Sequence, residues 1–178
     1  MELGEMTISE YSLLLEQKKS VPGGGSALAL VLELAADLAM MVGNFTLDKK
    51  GYESHREEIA RQMEDLQRIK EEAHRLIDED GKAYRRIMES YKTGDKNEIS
   101  LASIEGCDVP YSLYLFAEEC RKICLRMKEI GNRNLISDAA IGSDLCKAIL
   151  PGCIENIRCN ISGICDEEIR GRYAVLLK

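Results

Sequence analysis

Tryptophan is absent from the sequence and phenylalanine stands only at positions 45 and 116, so a core organised on large aromatic rings is excluded and Leu, Ile, Ala and Met must fill it. No alternating apolar and polar run, no Asn-Gly hairpin signal and no repeat of fixed period occurs, which argues against a sheet or a solenoid. Lysine and arginine nowhere form a run free of interspersed acids. With a formal net charge of −7, the chain lacks the basic footprint that a nucleic acid requires. The first residues, Met1 to Glu5, show no basic region followed by an apolar one, so no secretory signal is expected. The longest apolar stretch is broken by Glu33 and Asp37, short of the roughly 18 uninterrupted residues of a membrane span. A cytoplasmic setting, away from membranes, is the expectation.

Cysteine is present in odd number, seven residues, all beyond position 106. No C-x-x-C pair occurs, and the two histidines, His55 and His74, lie in another segment. Cys120 and Cys124 share a helix face, but the pattern reads as small, reduced, buried thiols rather than a disulfide framework or a metal centre. No metal is expected.

What is there describes an ordinary folded chain. Of 178 residues, 45% are hydrophobic and 31% charged. One domain spanning residues 1–178 is expected, long enough to bury roughly 70% of its unfolded surface.

The chain is organised around Pro22-Gly23-Gly24-Gly25-Ser26 and the apolar segment that follows. Three glycines in a row are used where a backbone turns sharply or lets another group come close. A helix starts there, capped by Ser26 or a glycine, and runs to Asn44 or Leu47. Its first residues are apolar on every side, so it belongs inside something. The loop itself reads either as a linker into a core helix or as an anion site at a helix N-terminus. It is neither a P-loop nor a dinucleotide fingerprint, since no Lys-Ser or Lys-Thr follows and the glycine spacing differs.

Before the loop, Ile8, Tyr11, Leu14 and Leu15 predict a short amphipathic helix capped by Thr7 or Ser9. Glu33 and Asp37 share a face of the core helix, which either reaches solvent at an edge or meets a basic partner or ligand inside; we place it at an edge or a subunit interface. Asp48 to Gly51 is a turn. A long charged helix follows over about 53–92, its apolar stripe stepping from Ile59 to Ile77 and resuming at Tyr84. Between them the stripe meets Asp80 and Gly81. A carboxylate on a core face is costly without a partner; the alternative is a stripe that rotates and leaves Asp80 half exposed. Thr93 to Asp95 reads as a turn, and Asp108-Val109-Pro110 as the start of the next helix, which Gly131 ends. Ser137 is the predicted N-cap of a further helix, with Asp138 in its first turn. Pro151 should kink or interrupt that helix. Asn156 and Asn160 share one of its faces, and a last short helix covers about 166–177. The sum is an all-α bundle of five to seven helices around an apolar central helix, whose exposed apolar surface makes a homodimer the expectation.

Four blocks, in this order, resemble the cyclodeaminase/cyclohydrolase family of folate enzymes: Val21 to Ser26; Lys49-Lys50-Gly51-Tyr52; Ile77 to Tyr84 with Asp78, Asp80 and Gly81; and Gly131-Asn132 through Ser137-Asp138-Ala139 with Asn156 to Asn160. The family includes the cyclodeaminase part of formiminotransferase-cyclodeaminase and stand-alone methenyltetrahydrofolate cyclohydrolases. The resemblance implies a helical dimer and a tetrahydrofolate-derived substrate, with no other cofactor and with a formiminotransferase as a possible partner. Glu33 and Asp37 stand where relatives tend to carry small apolar residues, Pro151 falls in a helix usually continuous, and the stretch between Tyr91 and Val109 looks shortened.

Two reactions fit the resemblance. A cyclodeaminase converts 5-formiminotetrahydrofolate to 5,10-methenyltetrahydrofolate plus ammonia; a cyclohydrolase opens the methenyl ring with water. Both pass through a cationic one-carbon unit and want a nearby carboxylate. Asp80 is the first candidate, then Asp138, then Asp78. For the anionic substrate tail the candidates are Gly23, Gly24, Gly25, Ser26, Lys50 and Arg158, and for the pterin edge Asn134 and Asn160. The cyclodeaminase is the leading reading. A non-catalytic folate-binding or scaffold protein is the alternative from another class, and a thiol enzyme built on Cys107 or Cys120 a weaker one.

Overall fold

The computed structural model describes residues 2–177. Six α-helices, joined by short 3-10 turns, account for nearly all of it: α1 (Ile8–Leu15), α2 (Gly24–Leu47), α3 (Arg56–Thr93), α4 (Lys96–Ile130), α5 (Ile136–Asn160) and α6 (Glu167–Ala174). No strand occurs among the described residues. The all-α bundle expected from periodicity is the architecture found.

Helices α2 to α5 form the bundle, each antiparallel to the next because the connections are short. α2 lies at its centre and packs on α3, α4 and α5. Small residues make this possible: Ala29, Ala35, Ala36 and Ala39 are fully buried, and at Gly142 of α5 an added Cβ would lie 3.1 Å from the Ala35 carbonyl oxygen. By length and composition α2 is apolar enough to cross a membrane, despite Glu33 and Asp37. Its place against three other helices makes it the core helix of the bundle instead.

The two acids of α2 lie half-buried and meet basic partners on α3, the alternative to a bare edge. Lys70 Nζ of α3 donates to Asp37 at 2.7 Å, and Glu33 lies 3.2 Å from Nδ1 of His74. Burial lowers the affinity of the His74 ring for its proton, but Glu33 and Glu5 outweigh it, and the net shift is upward.

Three helix boundaries differ from those predicted. α4 does not start at Asp108: it begins at Lys96, capped by Asp95, and runs through Pro110. Its first turns bury Ser100, Ala102, Ser103 and Gly106, a face of small residues that carries little hydrophobic signal. A proline inside a helix normally costs about 3 kcal/mol, partly because the carbonyl four residues back loses its donor. Here that carbonyl is Gly106, and Asn160 Nδ2 supplies the missing bond at 2.8 Å. Asp108, freed from capping, accepts the Tyr173 hydroxyl at 2.8 Å and so helps dock α6. Second, Pro151 does not interrupt α5, which is continuous from Ile136 to Asn160. It sits on an exposed face, and Lys147, four residues back, is exposed as well. Third, Ser137 is not the N-cap of α5. The Asn132 side chain instead accepts the Asn134 N–H and caps the preceding 3-10 turn, and α5 follows directly.

Candidate functional site

The glycine loop becomes a closed turn before α2. Gly23 is the extended N-cap residue, and Gly24 and Gly25 are already helical. The Ser26 hydroxyl accepts the Gly23 N–H at 3.2 Å and donates to the Gly23 carbonyl at 3.0 Å. Its one proton is thereby used, so the phenol of Tyr11, 2.9 Å away, is the donor in their contact. A buried residue of α1 thus fixes the turn.

The freed N–H groups of the first helical turn face Asp80 on α3. The Ser26 N–H donates to Asp80 Oδ2 at 3.0 Å, across 54 residues of sequence. Gly25 has no side chain because the carboxyl occupies that space: a Cβ there would lie 2.5 Å from the Asp80 Cγ. Burial pushes the Asp80 carboxyl up, the Ser26 N–H draws it back, and the net shift is upward.

This carboxyl lines a cavity of ≈ 280 Å³ between α2, α3, α4 and α5. Gly23, Gly24 and Gly25 form one wall, Tyr84 the side of α3, and Asn156, Cys159 and Asn160 the side of α5. Gly106 closes the end, where Asn160 meets its carbonyl. The Nδ2 of Asn160 is thereby committed to the fold and its Oδ1 is left to accept. No lysine or arginine lines the cavity. Such a site offers one proton-carrying carboxyl beside the positive end of a helix, with amide groups opposite.

Of the residues singled out from the sequence, Gly23, Gly24, Gly25, Ser26, Asp80 and Asn160 come together here. The others do not. Asp78 accepts the backbone N–H groups of Leu3 (2.7 Å) and Gly4 (3.3 Å) and ties down the N-terminal segment. Lys50, Asn134 and Asp138 lie at the opposite end of the bundle, about 35 Å away along the 24-residue α2. Arg158 follows Ile157 on α5 but points away from the cavity lining and pairs with Glu155 at 2.5 Å. The sequence reading did not name Tyr84, Gly106, Pro110 or Cys159 for the site. The signal for two of them was present: a proline with a glycine four residues before it marks an orphaned carbonyl that some donor must reach.

A second cavity of ≈ 290 Å³ between α3 and α4 is lined by charges that already satisfy one another, Lys82 with Glu79 and Arg86 with Glu105. Elsewhere, all seven thiols are unpaired. Cys120, Cys124 and Cys146 bring their sulfur atoms within 4.8 Å of one another, all buried, and no fourth ligand joins them among the described residues. Cys107 is also buried and its thiol is pushed up to about 12, so neither it nor Cys120 is placed to act as a nucleophile.

Comparison with known proteins agrees across sequence and structure. The profile of the formiminotransferase-cyclodeaminase family matches residues 7–175. A methenyltetrahydrofolate cyclohydrolase of Methylorubrum extorquens is 27% identical over 172 residues, which are 92% of this chain and 83% of that protein. A formimidoyltransferase-cyclodeaminase of Gallus gallus is 24% identical over 162 residues, and the match spans only 30% of its length. The crystal structure of a formiminotetrahydrofolate cyclodeaminase from Thermotoga maritima superposes with a TM-score of 0.93 at 30% identity, covering 99% of this chain and 88% of that one.

Proposed function

We propose that this chain, which belongs to the formiminotransferase-cyclodeaminase family, is a folate enzyme that closes 5-formiminotetrahydrofolate to 5,10-methenyltetrahydrofolate with loss of ammonia. The observation that carries the reading is Asp80: a partly buried carboxyl, raised above its ordinary range, held by one N–H in a cavity at the start of α2.

The reaction asks for little more. The formimino group enters protonated, as an amidinium; N10 of the substrate adds to its carbon and must lose a proton, and the bond from that carbon to the resulting amino group (NH2) then breaks as that nitrogen gains the same proton and leaves as ammonia. The Asp80 carboxylate takes the first proton and delivers it as the second, ending ionised beside the methenyl cation. An upward-shifted carboxyl is better matched to both transfers near neutral pH than an ordinary aspartate. Gly23 to Ser26 and Asn160 line the approach of the pterin. No metal or nucleotide enters the scheme, and the substrate brings the one-carbon unit. A formiminotransferase would supply it.

The same carboxyl also suits the cyclohydrolase reaction, where it would take a proton from attacking water. The experiment that separates the readings mixes purified protein with 5-formiminotetrahydrofolate and follows the ultraviolet band of the methenyl product. Growth above the uncatalysed rate is expected. Loss of a supplied methenyltetrahydrofolate, without any such growth from the formimino compound, would assign the cyclohydrolase instead; neither activity in folded protein would leave a binding protein.

The functional unit is a homodimer. Leu34, Leu38, Met41 and Phe45 step by four, three and four along α2 and form a second apolar stripe, outside the one packed on the bundle. Leu34 is 45% exposed and Phe45 61%, and a stripe this apolar is best covered by a second copy of itself. Sedimentation should give twice the chain mass of 19.9 kDa, and Leu34→Glu with Phe45→Glu should return it to the single mass. A wild-type protein that sediments as a monomer at micromolar concentration would refute the dimer.

A further inference from the structure

The catalytic cavity contains no cation, yet the substrate of the proposed reaction carries a glutamyl group with two carboxylates. The two cations suggested by the sequence do not reach it, Lys50 by distance and Arg158 by its pairing with Glu155.

Ser20 and Tyr84 line not only this cavity but a second, of ≈ 360 Å³, that continues along the outer side of α3 past Val21, Met88, Arg85 and Lys92. The groove changes character along its length. Tyr84 and Met88 are 39% and 46% exposed, large apolar surfaces left uncovered, as Tyr91 is further on, on the largely charged outer face of α3. Arg85 stands beside them, between Tyr84 and Met88 along the axis, and Lys92 stands beyond, two turns from Arg85 on one side of the helix. The neighbouring cations of α3 are neutralised, Arg75 by Glu72, Lys82 by Glu79 and Arg86 by Glu105. Arg85 and Lys92 have no acidic partner among the described residues. Glu89 lies between them in the groove and pairs with neither.

We infer that Arg85 and Lys92 form the subsite for the glutamyl carboxylates, with Tyr84 and Met88 as the platform for the p-aminobenzoyl ring, Arg85 at its flank and Lys92 past its far edge. The inference rests on the folate reading above. It accounts for the contents of the groove: after the polar cavity come Tyr84 and Met88 with Arg85 beside them, and Lys92 stands at the far end, so that an aromatic ring laid on the apolar pair has one cation at its flank and one past it. Lys92 is about 18 Å along the helix from Asp80 and Arg85 about 7.5 Å, a span that an extended p-aminobenzoylglutamate covers together with the reach of the two side chains.

The test is a binding cycle that does not depend on turnover. Tetrahydrofolate and tetrahydropteroate, which lacks the glutamate, are titrated calorimetrically into the wild-type dimer and into Arg85→Ala/Lys92→Ala. Wild type should bind tetrahydrofolate about tenfold more tightly than tetrahydropteroate, and the double variant should bind both with the weaker affinity. Both side chains are exposed, so the variant should melt as the wild type does. A variant that retains the full preference for tetrahydrofolate overturns the subsite. Wild-type binding without turnover of the formimino substrate would count against the proposed reaction while leaving the subsite standing; no binding of tetrahydrofolate by wild type would remove both.

Discussion

Replacing Asp80 by Asn should lower turnover by roughly 10²–10⁴-fold while making the protein more stable at neutral pH. The two effects come from one side chain. The amide is nearly isosteric and its oxygen can still accept the Ser26 N–H, so the turn before α2 should hold. What is lost is the one carboxyl lining the cavity. What is gained is relief from an ionised group held partly out of water. Burial raises the carboxyl above its ordinary value of 3.8 in the folded protein. The native state therefore keeps the proton to higher pH than the unfolded chain. The stabilising contribution of that proton is fully present below 3.8 and is lost as the pH rises through the raised folded value. Thermal melts of the two proteins should accordingly diverge between acid and neutral pH, with the variant the higher. Turnover at the wild-type rate would take Asp80 out of the mechanism; equal melting points across the whole range would mean that the carboxyl carries no strain.

Gly25→Ala should be almost as damaging to turnover, by about 10²-fold, with little change in global stability. The added methyl would overlap the Asp80 carboxyl, which is too short to move aside without leaving the Ser26 N–H and its aim into the cavity. A displacement of about 1 Å at the reacting group is enough for a loss of this size. Against the overlap, alanine is favoured over glycine by about 1 kcal/mol in a helix interior, and the part of this that holds at the second helical residue offsets some of the cost to the fold. Kinetics and a melt on the same preparation decide the matter. An active Gly25→Ala would mean that the carboxyl functions in another position; an unfolded one would mean that the close approach of α2 and α3 holds the bundle together rather than the site.

The parts of the molecule that were legible beforehand are those written in local periodicity. The stripe of α3 gave its length to within a few residues, and its interruption at Asp80 and Gly81 pointed to the one carboxyl that the fold brings to the glycine loop. The misplaced boundaries share a cause. At Pro110 and at Pro151 the local rule says that a helix should start or break, and each time a feature outside the local sequence decides: Asn160, 50 residues away, repairs the first, and an exposed face accommodates the second. The start of α4 was hidden because Ser100, Ala102, Ser103 and Gly106 pack by being small, and small residues leave no hydrophobic period to read.

Site residues divide in the same way. Gly23 to Ser26 were legible as a sharp turn into a helix, open to a linker or an anion site, and it was the family resemblance that made them site candidates. Lys50, Asn134 and Asp138 were grouped with them by belonging to the same run of motifs, yet chain order carries no information about which end of a 24-residue helix a motif will occupy. By itself the sequence determined that this chain is a helical bundle with an apolar centre and one carboxylate out of register with its own helix. Those properties follow from side-chain spacing and the cost of burying a charge. Only the tertiary structure decided which backbone N–H that carboxylate would meet, which carbonyl Asn160 would serve and which cations would stand unpaired along the groove. Each of these is a contact between residues tens of positions apart, settled by how four helices pack rather than by any one of them.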